Sequence, residues 1–202
     1  MWQNSGSSPA GVRCDAADLC PGVVGKAPST PTPAPAASGT PALNDIARFL
    51  AGTPTVVVEP AAWTVAGTDT NFVATGAGER QKAGTLLGRS VVVHFTPVSY
   101  TWVYGDGTSR TTSVPGATWQ TSGSTPFTAT PTSHVFANRG SYAVTVTVRF
   151  AARYQFAGQG WADIAGTLPL TSTPVTVTVK AVKTVLVAHD CTQDPSGVGC
   201  SP

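Results

Sequence analysis

The chain has 202 residues, of which 41% are hydrophobic and 11% charged, and its formal net charge is +2. That size suits one domain with tails or two small ones, and so little charge beside so much Val, Ala, Thr and aromatic surface excludes disorder over most of the length. Arg110, Arg139, Arg149 and Arg153 are scattered rather than clustered, which leaves no electrostatic footprint for nucleic acid, and no stretch approaches the roughly 18 apolar residues of a membrane span.

Residues 1–25 read as a small Gly/Ser-rich cap around Cys14 and Cys20. The opening has neither a basic region nor an apolar one of the kind a secretory signal needs, so the expectation is that a signal segment has been lost from a truncated or misassigned start. Residues 26–41 are Pro-rich and predict an extended linker. A short helix follows. Thr40 suits the N-cap and Pro41 the first helical position, Leu43, Ile46, Ala47 and Leu50 repeat at helical spacing, and Gly52 suits a left-handed end. Its apolar stripe is expected to pack on the edge of a sheet.

From 54 to 188 the chain predicts strands and turns. Strands are expected at 55–59, 63–66, 71–75, 90–96 (ended by Pro97), 100–104, 109–114, 117–120, 128–130 and 133–137. Later ones are expected at 173–179, with Val175, Val177 and Val179 on one side, and at 184–188. Many short strands at turn spacing argue for a sandwich rather than an α/β fold. The run 141–156 is the clearest element. Tyr142, Val144, Val146, Val148, Phe150, Ala152, Tyr154 and Phe156 alternate with Ser141, Ala143, Thr145, Thr147, Arg149, Ala151, Arg153 and Gln155. A period of two sets a dry face against a wet one. Sixteen residues at about 3.3 Å each would span roughly 53 Å, so a bend near 151–152, or a ribbon paired with the chain after the Gly158–Gly160 turn, is expected.

Tyr100, Trp102 and Tyr104 alternate into Gly105-Asp106-Gly107, which predicts a tight type I′ hairpin with Trp102 buried between two sheets, as the strand-C tryptophan is in immunoglobulin-like sandwiches. His134-Val135-Phe136 follows, then Gly140-Ser141-Tyr142 opening the long Val run. These three blocks, in this order, resemble the PKD (polycystic kidney disease) domain family over about residues 88–150, most closely its actinobacterial members, which also carry a Pro-rich N-terminal part and a C-terminal cysteine pair. The resemblance implies a cell-surface or secreted setting, with Trp102, Tyr104, Gly105, Asp106, Gly107, His134, Phe136, Gly140 and Tyr142 as motif residues. The spacer from Gly107 to His134 is long for that family, and the strands after Arg149 are extra.

Asp106 has two readings: a turn carboxylate bonded to its own loop, or a calcium ligand. No Asp-x-Asp-x-Asp cluster exists. Asp69-Thr70-Asn71 has partial calcium-loop spacing, but Ala74 and Arg80 stand where Gly and Glu are needed, so the turn reading is preferred and no metal or other cofactor is expected. His134 could act as a base beside Ser133 or near Asp106, but no nucleophile elbow, zinc-helix motif or phosphate loop accompanies it, so it reads as a histidine that holds a loop. His94 and His189 read as ordinary. Trp63, Trp119 and Trp161 fall outside the core pattern. They read first as packing and second as exposed rings that could stack on sugar.

Cys14, Cys20, Cys191 and Cys200 allow three pairings. Short loops favour Cys14–Cys20 and Cys191–Cys200, in an oxidising compartment, and the spacings fit poorly with zinc. The reading is therefore an all-β, immunoglobulin-like, PKD-type β-sandwich with one short N-terminal helix. It divides into a cap and linker (1–41), the sandwich (42–190) and a disulfide tail (191–202). It would be a non-catalytic extracellular or cell-surface module that meets a protein partner or spaces other parts or, alternatively, binds a cell-surface glycan through its tryptophans.

Overall fold

The computed structural model describes residues 39–61, 63–183, 190–197 and 199–200. The expected Cys14–Cys20 bridge, the N-terminal cap and most of the linker, the apolar stretch 184–188 and His189 lie outside the described residues. Among those described, the elements are α1 (Leu43–Ile46), a 3-10 turn (Ala47–Phe49), β1 (Thr55–Glu59), β2 (Trp63–Val65), β3 (Asp69–Thr75), β4 (Arg80–Leu86), β5 (Arg89–Val103) and β6 (Ser109–Thr112). They continue with α2 (Trp119–Ser122), β7 (His134–Val135), β8 (Gly140–Phe156), β9 (Ala162–Thr171) and β10 (Val175–Lys180). No helix among the described residues is long and apolar enough to cross a membrane.

Two sheets face each other in a sandwich-like arrangement. The smaller runs β1-β3-β7, and the larger runs β2-β10-β8-β5-β4, with β6 also paired to β5 and β9 to β8. All pairs are antiparallel except β2 with β10. The chain passes from the small sheet to the large one between β1 and β2, through the cis Glu59–Pro60 bond.

The long strand forms as the alternation demands. Along β8, Val144, Val146, Val148 and Phe150 are fully buried and Ala152 and Phe156 nearly so, while Ser141, Ala143, Arg149 and Arg153 are exposed. Its partner β5 is nearly as long because the two expected strands on either side of Pro97 are one. Pro97 does not end the strand. It precedes a bulge in which Val98 is the extra residue between the pairs Pro97↔Phe150 and Ser99↔Arg149. Proline lacks the N–H that a regular ladder would need, so a bulge is where it fits. The extra residue also switches parity: odd residues Val91, Val93 and Phe95 point inward before it, even residues Tyr100 and Trp102 after it.

β5 and β8 thus serve two halves. One half lies over the small sheet. In the other they are flanked by β4 and β9 and reach beyond it. The expected irregularity near Ala151–Ala152 is present on the β9 side, where Phe150↔Leu168 is followed by Ala152↔Ile164, so that Ala165, Gly166 and Thr167 oppose Ala151. Gly166 has φ +94°, and a Cβ there would meet Leu43 at 2.7 Å. The leading helix therefore covers the inner face of the extended half rather than a sandwich edge. Ile46 is fully buried, and a Cβ on Gly84 of β4 would stand 2.4 Å from the Phe49 ring. Arg80 fixes this arrangement by donating to the carbonyls of Ala51 and Gly76.

Other local expectations are corrected. The helix starts two residues late, because the Ala42 N–H is capped by Asp45 Oδ2 at 2.8 Å rather than by Thr40, and Gly52, although at φ +97°, lies beyond the end of the 3-10 turn. Residues 117–120 are not a strand: Thr118 Oγ1 accepts from the Thr121 N–H and Gly123 at φ +67° closes a single helical turn. Residues 128–130 are not a strand either, and 133–137 shrinks to β7. β4 was not expected, since Arg80-Gln81-Lys82-Ala83-Gly84 carries no apolar alternation. It forms as the arm of a hairpin whose two turn residues, Leu87 (φ +51°) and Gly88 (φ +74°), are both left-handed. The type I′ geometry expected at Gly105–Gly107 is found there instead.

Candidate functional site

The three motif blocks converge at one end of the sandwich. Gly105 (φ +79°) and Gly107 (φ +90°) flank Asp106, and the Tyr104 N–H donates to the Thr108 carbonyl at 3.2 Å across a three-residue loop. A Cβ on Gly105 would lie 2.7 Å from the Ala143 carbonyl oxygen and 2.8 Å from its nitrogen, so the loop presses against the backbone of β8. Asp106 Oδ1 accepts from the Thr108 N–H (3.0 Å) and hydroxyl (2.6 Å), while Oδ2 meets His134 Nε2 at 2.7 Å. The His134 ring stacks on Tyr104 (3.9 Å between centroids, 7° between planes) and stands edge-on to Phe136. Phe136, fully buried, stacks on Tyr142, whose hydroxyl donates to the Asn138 carbonyl at 3.0 Å. A Cβ at Gly140 would meet that same Tyr142 ring at 3.2 Å.

These contacts are interlocks between strands. Ser133 does not extend the His134–Asp106 pair toward a nucleophile: its hydroxyl donates to Asp69 Oδ1 (2.7 Å) and accepts from the Thr130 N–H. Burial pushes Asp106 up, but the Thr108 hydroxyl, His134 and the Thr108 N–H together outweigh it and hold the carboxyl below its ordinary value. A depressed folded-state value contributes stability that is complete above the ordinary carboxylate value, near pH 4, and is lost as pH falls through the lowered one. Asp106→Asn should therefore be less stable than the native chain at neutral pH, and the gap should close in acid, as measured by urea titration across that range.

Tyr104 is buried, and its hydroxyl has no hydrogen-bond partner among the described residues. Burial pushes its pKa up to about 12, with Arg110 opposing and Asp106 adding. The neutral phenol is thus favoured below its ordinary value, and this contribution is lost as pH climbs from 10 toward 12. Because an unpaired buried hydroxyl costs desolvation without return, Tyr104→Phe should leave thermal stability unchanged or raise it by about 1 kcal/mol.

The three tryptophans, read first as packing and second as sugar platforms, part company. Trp119 is buried, correcting its reading as a ring open to ligand: its Nε1 donates to the Thr128 carbonyl (2.9 Å) and its N–H to Glu59 Oε2 (2.8 Å). Trp63 (45% exposed) lies on β2 under Lys180 Nζ, 4.7 Å from the ring centroid. Trp161 (39% exposed) precedes β9, with the Arg153 guanidinium 4.9 Å over its ring and His94 edge-on at 6.2 Å. Arg153 Nε also donates to His94 Nδ1 at 3.1 Å, which makes His94 part of this cluster.

Sequence reasoning missed a buried polar hub. Asn71, fully buried, donates through Nδ2 to Glu59 Oε2 (2.7 Å) and the Ala117 carbonyl (2.8 Å), and its Oδ1 accepts from the hydroxyls of Thr130 (2.7 Å) and Thr132 (3.4 Å). The hub ties the long spacer after β6 to the small sheet. It also uses Asn71, one of the residues with partial calcium-loop spacing, while Asp69 accepts from Ser133, and no cluster of three or more His, Cys, Asp or Glu suited to a metal occurs among the described residues. Cys191 and Cys200 are joined by a disulfide, with Cα atoms 5.4 Å apart. These observations define a β-rich, two-sheet protein with a disulfide-closed C-terminal loop. The chain matches no model of a protein family, and no curated protein matches it in sequence.

Proposed function

We propose that the chain is a non-catalytic, PKD-type immunoglobulin-like module that acts outside the cell or at its surface, contacting a protein partner or spacing neighbouring parts. The observation that carries this reading is the inward commitment of the motif. Asp106, His134, Tyr104, Phe136 and Tyr142 bond and stack on one another across β5, β7 and β8, which is the work of a scaffold rather than of a reaction centre. Two further features support the immunoglobulin-like part. The orders β1-β3-β7 and β10-β8-β5 follow the A-B-E and G-F-C arrangement of such sandwiches, and Tyr142 near the start of β8 bonds back to the Asn138 carbonyl as a tyrosine corner does. The Cys191–Cys200 bridge favours an oxidising compartment. Because Trp119 is buried, the alternative glycan reading rests on Trp63 and Trp161.

The test is to treat intact producing cells and their medium with a membrane-impermeant protease and a thiol label. The expected result is a chain that is secreted or cut from outside, with Cys191 and Cys200 unlabelled. A chain found only inside the cell with both thiols reactive would overturn the reading.

A further inference from the structure

The outer face of the extended half carries a group that the motif does not use. Register places Gln81 of β4, His94 of β5, Arg153 of β8 and Asp163 of β9 in one row across four strands. Trp161 stands against this row, fixed by Arg153 over its ring and by the edge of His94. Glu79 Oε2 faces His94 Nε2 at 3.6 Å. Two residues further along the same face lie Val92 and Gln155, which with Ala83, Ser90 and Gln159 line an open trough of about 420 Å³.

We infer that this face, centred on Trp161, binds a neutral carbohydrate, with a pyranose ring on the accessible surface of the indole and its hydroxyls toward Gln81, Arg153, Gln155 and Asp163. Three features select that chemistry. An exposed indole braced by neighbours is a rigid apolar platform that suits the C–H face of a sugar. The surrounding groups are planar amides, a guanidinium, an imidazole and carboxylates, which supply both donors and acceptors to hydroxyls that are themselves both. Arg153 stands opposite Asp163 in the ladder and Glu79 lies beside His94, so the face carries no cluster of positive charge to draw a phosphate or an acidic polymer. The small side chains of Ala83 and Ser90 leave the trough open enough for a second ring of the same chain to lie along the strands.

This inference rests on the glycan alternative of the non-catalytic reading, and the experiment separates the site from that reading. The full chain is titrated with neutral oligosaccharides of α-1,4-glucan, β-1,4-glucan, β-1,4-xylan and α-mannan, followed by tryptophan fluorescence and affinity electrophoresis, and the sugar is then recovered and sized. The expected result is saturable binding of at least one of them, weakened about tenfold or more by Trp161→Ala and unchanged by Trp63→Ala. Gln155→Ala should weaken binding as well, which covers the case of a poorly folded Trp161 variant. Failure of every oligosaccharide to bind at up to about 10 mM, or binding that survives both Trp161→Ala and Gln155→Ala, overturns the site. Binding with sugar recovered intact supports both statements. Binding followed by cleavage supports the site but overturns the non-catalytic reading.

Discussion

Trp102→Ala is expected to lower the unfolding free energy by about 3–5 kcal/mol, the range for removing a fully enclosed large aromatic side chain. Trp102 is fully buried on β5, its ring centroid 6.1 Å from that of Phe72 on the opposite sheet, and Phe72 in turn meets Tyr104 at 5.4 Å and Phe136 at 6.4 Å. Its indole Nε1 also donates to Thr112 Oγ1 at 3.2 Å, so truncation removes a bond to β6 along with the packing. The surrounding strands are held by their ladders and cannot close on the space. Thr145→Ala, on the other face of neighbouring β8, should change stability by less than about 0.5 kcal/mol. Urea denaturation of both variants checks the pair. Similar losses would mean that the two faces have been assigned wrongly.

Asn71→Ala is the second large effect, an expected loss of about 2–4 kcal/mol. The substitution removes both the donor and the acceptor of a buried amide at once. Glu59 Oε2 keeps only the Trp119 N–H, the Ala117 carbonyl loses its donor, and the Thr130 and Thr132 hydroxyls lose a shared acceptor. Since Ala117, Trp119, Thr130 and Thr132 belong to the spacer after β6, its release should precede global unfolding. Trp119 fluorescence should shift to the red at a lower urea concentration than the far-ultraviolet signal of the strands is lost. Coincident transitions at native stability would show that the hub carries no weight.

The elements legible in the sequence are those in which one period governs the whole segment. The alternation from Tyr142 to Phe156 fixes β8 and its two faces, Val175, Val177 and Val179 fix β10, and the run from Tyr100 to Tyr104 places Trp102 inside. What was hidden depends on contacts between distant residues. β4 has no apolar period and exists because the Leu87–Gly88 turn folds it against β5. The continuity of β5 was masked by Val98, since a bulge reverses the inward parity and makes one strand look like two. The anchoring of Trp119 was not legible, because its partners, Glu59 and Thr128, lie 60 and 9 residues away. Asn71 gave no sign of its role for the same reason. At the candidate sites, the Asp106–His134 contact was foreseeable from the motif order. The cluster of Trp161, Arg153 and His94 was not, because three strands must pair before those side chains share a face.

Two sheets close around Trp102, while Trp161 stays open on the extended half. Oxidative footprinting of the folded chain with N-bromosuccinimide, read tryptophan by tryptophan by mass spectrometry, tests it most directly. Trp63 and Trp161 should be modified first, with Trp102 and Trp119 protected until the chain unfolds. Oxidation of Trp102 in the folded protein as fast as that of Trp63, or protection of Trp161, would contradict it.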